Sequence, residues 1–176
     1  MSATIRIENQ IAVITMDDGK ANAINPTMLA SLNAALDQAE KEAKVVIITG
    51  RPERFSAGFD LKLMGASTPE DVTKLVKGGG ALALRLFTFP MPVIAACTGH
   101  GIAMGCFILL SCDTLFSPEE AVTVGYLDKA VAPDKVMAEA MAEAERLKAL
   151  PAKAVAGNKR ILRKPTVDAI APTVAM

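Results

Sequence analysis

Four glycines, and the backbone amides beside them, carry the most suggestive chemistry in the chain. Gly99, Gly101 and Gly105 fall within Pro92-Val-Ile-Ala-Ala-Cys-Thr-Gly-His-Gly-Ile-Ala-Met-Gly-Cys-Phe-Ile-Leu-Leu-Ser-Cys-Asp113. Residues 93–97 form a short apolar run suited to a buried strand. Residues 104–110 are apolar all round, as in a buried helix. Strand, glycine-rich turn and buried helix aim unpaired backbone N–H groups at whatever lies before the helix N-terminus. Glycine also lets another backbone or a ligand approach closely. Such N–H groups can hold an oxygen that gains charge during a reaction. A second stretch repeats the logic. Residues 45–49 are a β-branched strand, 50–54 a polar turn, and Gly58 follows in Phe55-Ser-Ala-Gly-Phe-Asp-Leu-Lys62 where a helix can begin. Two such turns can supply two donors to one oxygen.

Side chains offer less. His100 is the sole histidine, a proton carrier near neutral pH, but it reads best as a turn residue bonded to nearby backbone. No serine motif surrounds it, which disfavours a Ser-His-Asp hydrolase. Cys97, Cys106 and Cys112 suit neither a zinc knuckle nor a redox pair and read as small buried hydrophobes with reduced thiols; no metal site is evident. Asp60 and Asp113 are expected to bond backbone near the turns. Glu119 and Glu120 are explained by helix capping. No acid can be assigned the chemistry.

The elements that must position these groups follow from local patterns. Residues 4–8 and 11–16 predict a hairpin around Asn9 and Gln10. Asn25 caps a helix with Pro26 in its first position, and Met28, Leu29, Leu32, Leu36 and Ala39 give it one buried face. Thr68 and Pro69 open another helix, which Gly78-Gly-Gly80 is expected to break or loosen into a flexible wall. Ser117, Pro118 and Glu120 predict a short capped helix ended by Gly125, followed by a strand over 126–131. Pro133 opens a long helix with Val136, Met137, Ala140, Met141, Ala144 and Leu147 on one face, Pro151 starts another through Leu162, and a proline-broken tail follows. Strand, strand, helix, strand points to an α/β fold.

At 176 residues the chain suits one domain with a sizeable core. Nineteen acids balance nineteen bases, so no overall field favours nucleic acid or a membrane surface. No apolar run reaches the ~20 residues of a membrane span. Charges by Arg6 and Glu8 exclude a signal-peptide pattern, which makes a cytoplasmic location the default.

In combination and in order, these stretches resemble the crotonase superfamily, the enoyl-CoA hydratase and isomerase family. The residues that carry the resemblance are Ala21-Asn-Ala-Ile-Asn25, Phe55 to Lys62, Pro92 through Asp113, and Ser117-Pro-Glu-Glu-Ala-Val-Thr-Val-Gly-Tyr-Leu-Asp-Lys-Ala-Val131. The resemblance implies a crotonase-like spiral of ββα repeats with C-terminal helices, acting on an acyl-CoA thioester of fatty acid metabolism through a stabilised enolate. It implies the backbone N–H groups of Phe59 and Met104 as the oxyanion donors. It implies Lys20, Ala21, Asn22, Ala23, Ala57, Gly58, Asp60, Leu61 and Gly101 around coenzyme A, with Lys20 near the phosphates. Coenzyme A belongs to the substrate, so no separate cofactor is expected. A homotrimer or dimer of trimers is implied too.

Three departures from the family pattern matter. Met104 stands where the donor is usually a glycine. Phe107 stands where family hydratases carry the first of two glutamates that position water. After Thr114 a family member continues through several dozen residues that bear the second glutamate, the main acid/base; here Leu115 follows at once. The expected organisation is therefore a core over 1–131, with an apparent missing segment between 114 and 115, and a helical region over 132–176. The expected function is an enoyl-CoA hydratase or isomerase. Phe107 favours double-bond isomerisation, which can run on one base. The alternative is a non-catalytic acyl-CoA-binding or assembly protein lacking both glutamates.

Overall fold

The hairpin forms as its pattern requires. In a computed structural model that describes residues 2–117 and 128–174, β1 (Ala3–Glu8) pairs antiparallel with β2 (Ile11–Met16). Asn9 and Gln10 both take positive φ, at 51° and 65°, as a two-residue type I′ turn demands. α1 (Pro26–Glu42) follows, and the Asn25 side chain accepts the Met28 N–H at 2.9 Å. Next come β3 (Val45–Thr49), β4 (Glu53–Ser56), α2 (Leu61–Ala66) and α3 (Pro69–Thr88). The second round is β5 (Val93–Ala96), β6 (Gly99–Gly101), α4 (Met104–Leu110), β7 (Thr114–Ser117) and β8 (Lys129–Ala130). A short 3-10 turn at Pro133–Lys135 leads into α5 (Val136–Lys148), and α6 (Ala152–Val174) closes the described chain.

Six strands make one sheet in the order β1-β2-β3-β5-β7-β8, parallel except for the opening hairpin. Its central strands are apolar on both faces, as a covered parallel sheet requires. The alternation sorts their side chains cleanly. Ile14, Val46, Ile48, Val93 and Ala95 join α1, α3 and α4 in the main core. Ile11, Val13, Val45, Ile47, Ile94 and Ala96 face the other way, against Val136, Ala140 and Ala144 of α5. The two alanines let that helix lie close on the strands. Thr114 and Leu115 are consecutive residues of one strand, β7, which pairs with β5.

Two local expectations are overturned. Gly78-Gly-Gly80 does not break α3, which runs unbroken through the triplet. Each glycine costs a helix about 1 kcal/mol relative to alanine. Here each faces a neighbour that a Cβ would crowd: Leu29 Cδ1 at 3.1 Å, the Phe59 ring at 2.6 Å and Val174 Cγ1 at 2.6 Å, respectively. Close packing outweighs propensity. The proline-broken tail is likewise helical, since α6 continues through Pro165 and Pro172. The short helix expected at 118–125 and the start of the strand expected at 126–131 lie outside the described residues.

Tertiary contact explains the persistence of α6. Asp113, at the entry to β7, accepts the Val93 N–H at 2.7 Å through Oδ2. The same oxygen accepts from Lys159 Nζ at 2.8 Å, and Oδ1 lies 2.9 Å from Arg163 Nη2. Lys159 also donates to the Met91 carbonyl, and the Arg163 guanidinium donates to the Phe87 carbonyl while stacking 4.2 Å from that ring. Burial drives the Lys159 pKa below its ordinary value, and the Asp113 charge only partly restores it. Asp113 does bond backbone as expected, but it also pins a helix about fifty residues away in sequence. Replacing Asp113 by Ala would strand two largely buried cations. Urea unfolding is expected to show a loss of about 3 kcal/mol, the lower end for breaking such a cluster.

Candidate active site

The loop before α1 is held by its own side chains. Asp18 accepts the backbone N–H groups of Lys20 at 2.7 Å, Asn22 at 2.9 Å and Ala23 at 3.0 Å. Asn22 is fully buried with φ of 54°, and its Nδ2 donates to the carbonyls of Met16, Arg54 and Phe55. Its side chain is thus spent on the fold, so any part Asn22 has in lining a ligand site falls to its backbone. What Asn22 does is fasten the loop to β4, so that Ala57 N–H donates to the Ala21 carbonyl at 2.9 Å. Lys20 is exposed beside this bracket, and Ala23 is half-buried.

From β4 the chain passes to the first donor. Ile24 N–H donates to the Gly58 carbonyl, and Asp60 N–H donates to the Ile24 carbonyl. Those bonds use one edge of the segment, so the Phe59 N–H projects from the opposite edge. Asp60 then caps α2, accepting the Leu63 N–H at 3.0 Å, while Leu61 is 78 % exposed. The second donor opens α4. Met104 is the first residue of that helix, where an N–H has no intrahelical acceptor. Among the described residues, neither the Phe59 nor the Met104 amide has an acceptor.

Gly58 brings the two together. Its φ is 82°, and a Cβ there would stand 2.8 Å from Ala103 Cβ and 3.0 Å from Met104 N. Ala103 answers with φ 49° and ψ −118°, a strained backbone for a residue with a side chain. Gly105 is needed as well, since a Cβ would meet the Ser56 carbonyl oxygen at 2.7 Å. A Cβ at Gly101 would meet Leu109 Cδ1 at 2.4 Å, so the turn packs closely on α4 there. Neither the Ala103 strain nor the role of Gly79 is legible in residue order alone; only the density of glycines hints at close approach.

Beyond the two amides lies an apolar cavity of about 530 Å³. Phe59, Ala103 and Met104 line it with Phe107 and Leu110 of α4. Val76, Ala83, Leu84 and Phe87 of α3 make one wall. Thr166, Ile170 and Val174, spaced four apart on α6, make another. That spacing was visible in the tail but hidden by its prolines. Met104 is buried with its Sδ toward Gly79, which answers how a methionine fits where glycine is usual. Phe107 is 63 % exposed on the cavity side of α4. The described lining holds no titratable side chain; its polar groups are Ser111 and Thr166. A second, more polar groove of about 590 Å³ is lined by Ala21, Ala57 and Ile102 together with Glu53, Arg54 and His100. His100 is exposed there, in register with Arg54 on the neighbouring strand. Cys112 is half-buried, and its thiol pKa is pushed up, first by desolvation and then by the Asp113 charge.

Two strand-to-helix turns that offer paired backbone donors to an apolar cavity, carried on a covered parallel sheet, define a crotonase-type α/β protein. The chain belongs to the enoyl-CoA hydratase/isomerase family, whose profile matches residues 6–116. It is 33 % identical over 121 residues to a probable enoyl-CoA hydratase of Bacillus subtilis, a match covering 67 % of this chain and 47 % of the relative. It is 26 % identical over 208 residues to mitochondrial enoyl-CoA delta isomerase 1 of Mus musculus, covering 90 % of this chain and 72 % of the relative. The crystal structure of a probable enoyl-CoA hydratase from Mycobacterium tuberculosis superposes with a TM-score of 0.95 at 30 % identity, covering 99 % of this chain and 93 % of that one. The chain spans about half the length of the first curated relative. The 208-residue match to the mouse protein exceeds this chain's 176 residues, so that relative carries a stretch with no counterpart here.

Two outcomes follow for the loop. Asn22→Ala would leave buried carbonyls unpaired and place alanine at positive φ. An expected cost of about 1–3 kcal/mol is measurable by chemical denaturation. For Asp18, burial pushes the carboxyl pKa up, but the amides of Asn22, Ala23 and Lys20 outweigh it and hold it below 3.8. A depressed folded-state value means stability that is present above 3.8 and lost as pH falls through the lowered value. The thermal-midpoint gap between the wild type and Asp18→Asn is therefore expected to be constant near neutrality and to close in strong acid.

Proposed function

We propose that this chain binds an enoyl-CoA thioester and moves its double bond, acting as an isomerase. The observation that carries the reading is the pair of acceptor-free amides, Phe59 and Met104, in the lining of an apolar cavity. The thioester oxygen would accept from both, and the acyl chain would lie between α3, α4 and α6. Removing a proton from C2 of a 3-enoyl thioester shifts the electron pair onto that oxygen as an enolate; returning a proton at C4 leaves the 2-enoyl product. One base suffices for this cycle. Hydration uses two positioned carboxylates in the family pattern, and Phe107 occupies the place of one. The exposed Lys20 and the groove along Ala21 and Ala57, with Arg54 and His100 nearby, support a site there for the anionic end of coenzyme A.

A second reading rests on one observation: the described lining contains no proton carrier. A protein that binds and polarises an acyl-CoA without turnover fits that lining directly. Within either reading we place the chain in a homotrimer or dimer of trimers in the cytoplasm, in fatty acid metabolism. Exposed Ile161 and Leu162 on α6 support a subunit contact.

Two substrates separate the readings. An isomerase is expected to generate conjugated enoyl absorbance from a 3-enoyl-CoA. A hydratase would instead bleach the absorbance of crotonyl-CoA. Calorimetric binding of both thioesters with neither change would establish the non-catalytic reading.

A further inference from the structure

Gly79 sits buried in the middle of α3, where alanine would serve the helix better. A Cβ at this position would stand 2.6 Å from Phe59 Cζ, 2.8 Å from Phe59 Cε1 and 3.2 Å from Met104 Sδ. The next residue, Gly80, lines the apolar cavity, as do Phe59 and Met104 themselves. Gly79 therefore leaves a recess at the cavity's edge that is filled by the ends of the two side chains whose backbones carry the free amides.

We propose that Gly79 is a specificity-determining residue: its missing side chain seats the Phe59 ring and the Met104 thioether against α3, out of the space that receives the acyl chain. The inference rests on the reading of this cavity as the acyl site. The atoms a new Cβ would meet are the far ends of side chains, which yield more easily than backbone. A substituent at position 79 therefore moves the ring and thioether, and the open direction is the cavity. The amides, held by the Ile24 bridge and by the start of α4, stay where they are. The consequence is selective. Room for a long acyl chain shrinks, while the thioester end is untouched.

The test is calorimetric binding of butanoyl-, octanoyl- and dodecanoyl-CoA, saturated thioesters that bind without turnover. For Gly79→Ala, affinity for the two longer thioesters is expected to fall about tenfold or more, the cost of a lost methylene-sized space. Butanoyl-CoA is expected to bind as it does to the wild type. Adding Phe59→Leu, which lacks the Cζ and Cε1 atoms, should restore the longer chains. Gly157→Ala, at a helix position with open space around it, serves as the matched control and should change nothing. If Gly79→Ala does not fold, Phe59→Trp overfills the same recess and makes the same test. Equal loss at every chain length, no loss at all, or no rescue by Phe59→Leu would overturn the role of Gly79 while leaving the acyl-CoA reading in place. Failure of the wild type to bind any of the three would overturn that reading and this proposal with it.

Discussion

The contact on which the site depends is backbone against backbone, where Gly58 presses on Ala103 and Met104. There is no room for a methyl group at that point, with the Ile102 carbonyl oxygen only 2.9 Å from where one would begin. Two turns from different rounds of the fold thus meet closely enough to act as one. The parallel pairing of β4 with β6 brings them into line. Glycine at 99 and 105 then removes the side chains that would hold the turns apart. The geometry is held at a local cost, since Ala103 keeps a backbone conformation worth about 1–3 kcal/mol of strain. Bonds that converge on the other side of the turn offset it: Ser56 donates to the Asn22 carbonyl at 2.7 Å, and Gly58 N–H donates to Ser56 Oγ.

A second constraint is electrostatic and acts at longer range. Asp113 belongs to the same glycine-rich stretch as Met104, and its carboxylate gathers Lys159, Arg163 and the Val93 amide. The helix so held supplies Thr166, Ile170 and Val174 to the cavity. One carboxylate therefore couples the strand that follows the second donor to the wall that faces it. Because the cations lie in partly buried surroundings, their attraction is stronger than for a solvated pair, and loss of any one member leaves the others poorly compensated.

These constraints differ in how legible they are from residue order. The hairpin at Asn9 and Gln10, the Asn25 cap and the two-faced alternation of residues 45–49 depend on near neighbours, and each forms as its pattern requires. The glycine-flanked turns are legible because strand, glycine and apolar helix follow directly in the chain. Gly78-Gly-Gly80 and Pro165 depart from the local expectation because propensity counts only local cost. Each glycine of the triplet loses about 1 kcal/mol in the helix, but the contacts that compensate come from Leu29, Phe59 and Val174. The structural part played by Asn22 is not legible locally either, because its amide is consumed by the carbonyls of Met16, Arg54 and Phe55. The cavity itself draws on α3, α4 and α6, and no local pattern joins them.

Under the proposed function, polarising a thioester and moving its proton are separable tasks, and this chain divides them unevenly. The amides are fixed by backbone geometry and surrounded by apolar side chains, where an oxyanion hydrogen bond is stronger than in water. The same apolar surroundings penalise a carboxylate, which would have to remain charged to act as base. Phe107 removes that penalty at one family position and with it one route for the proton. A lining of this kind stabilises the negative oxygen, while its described polar groups, Ser111 and Thr166, include no carboxylate to position a nucleophilic water. The chemistry that remains open is the kind in which one proton leaves carbon and one returns.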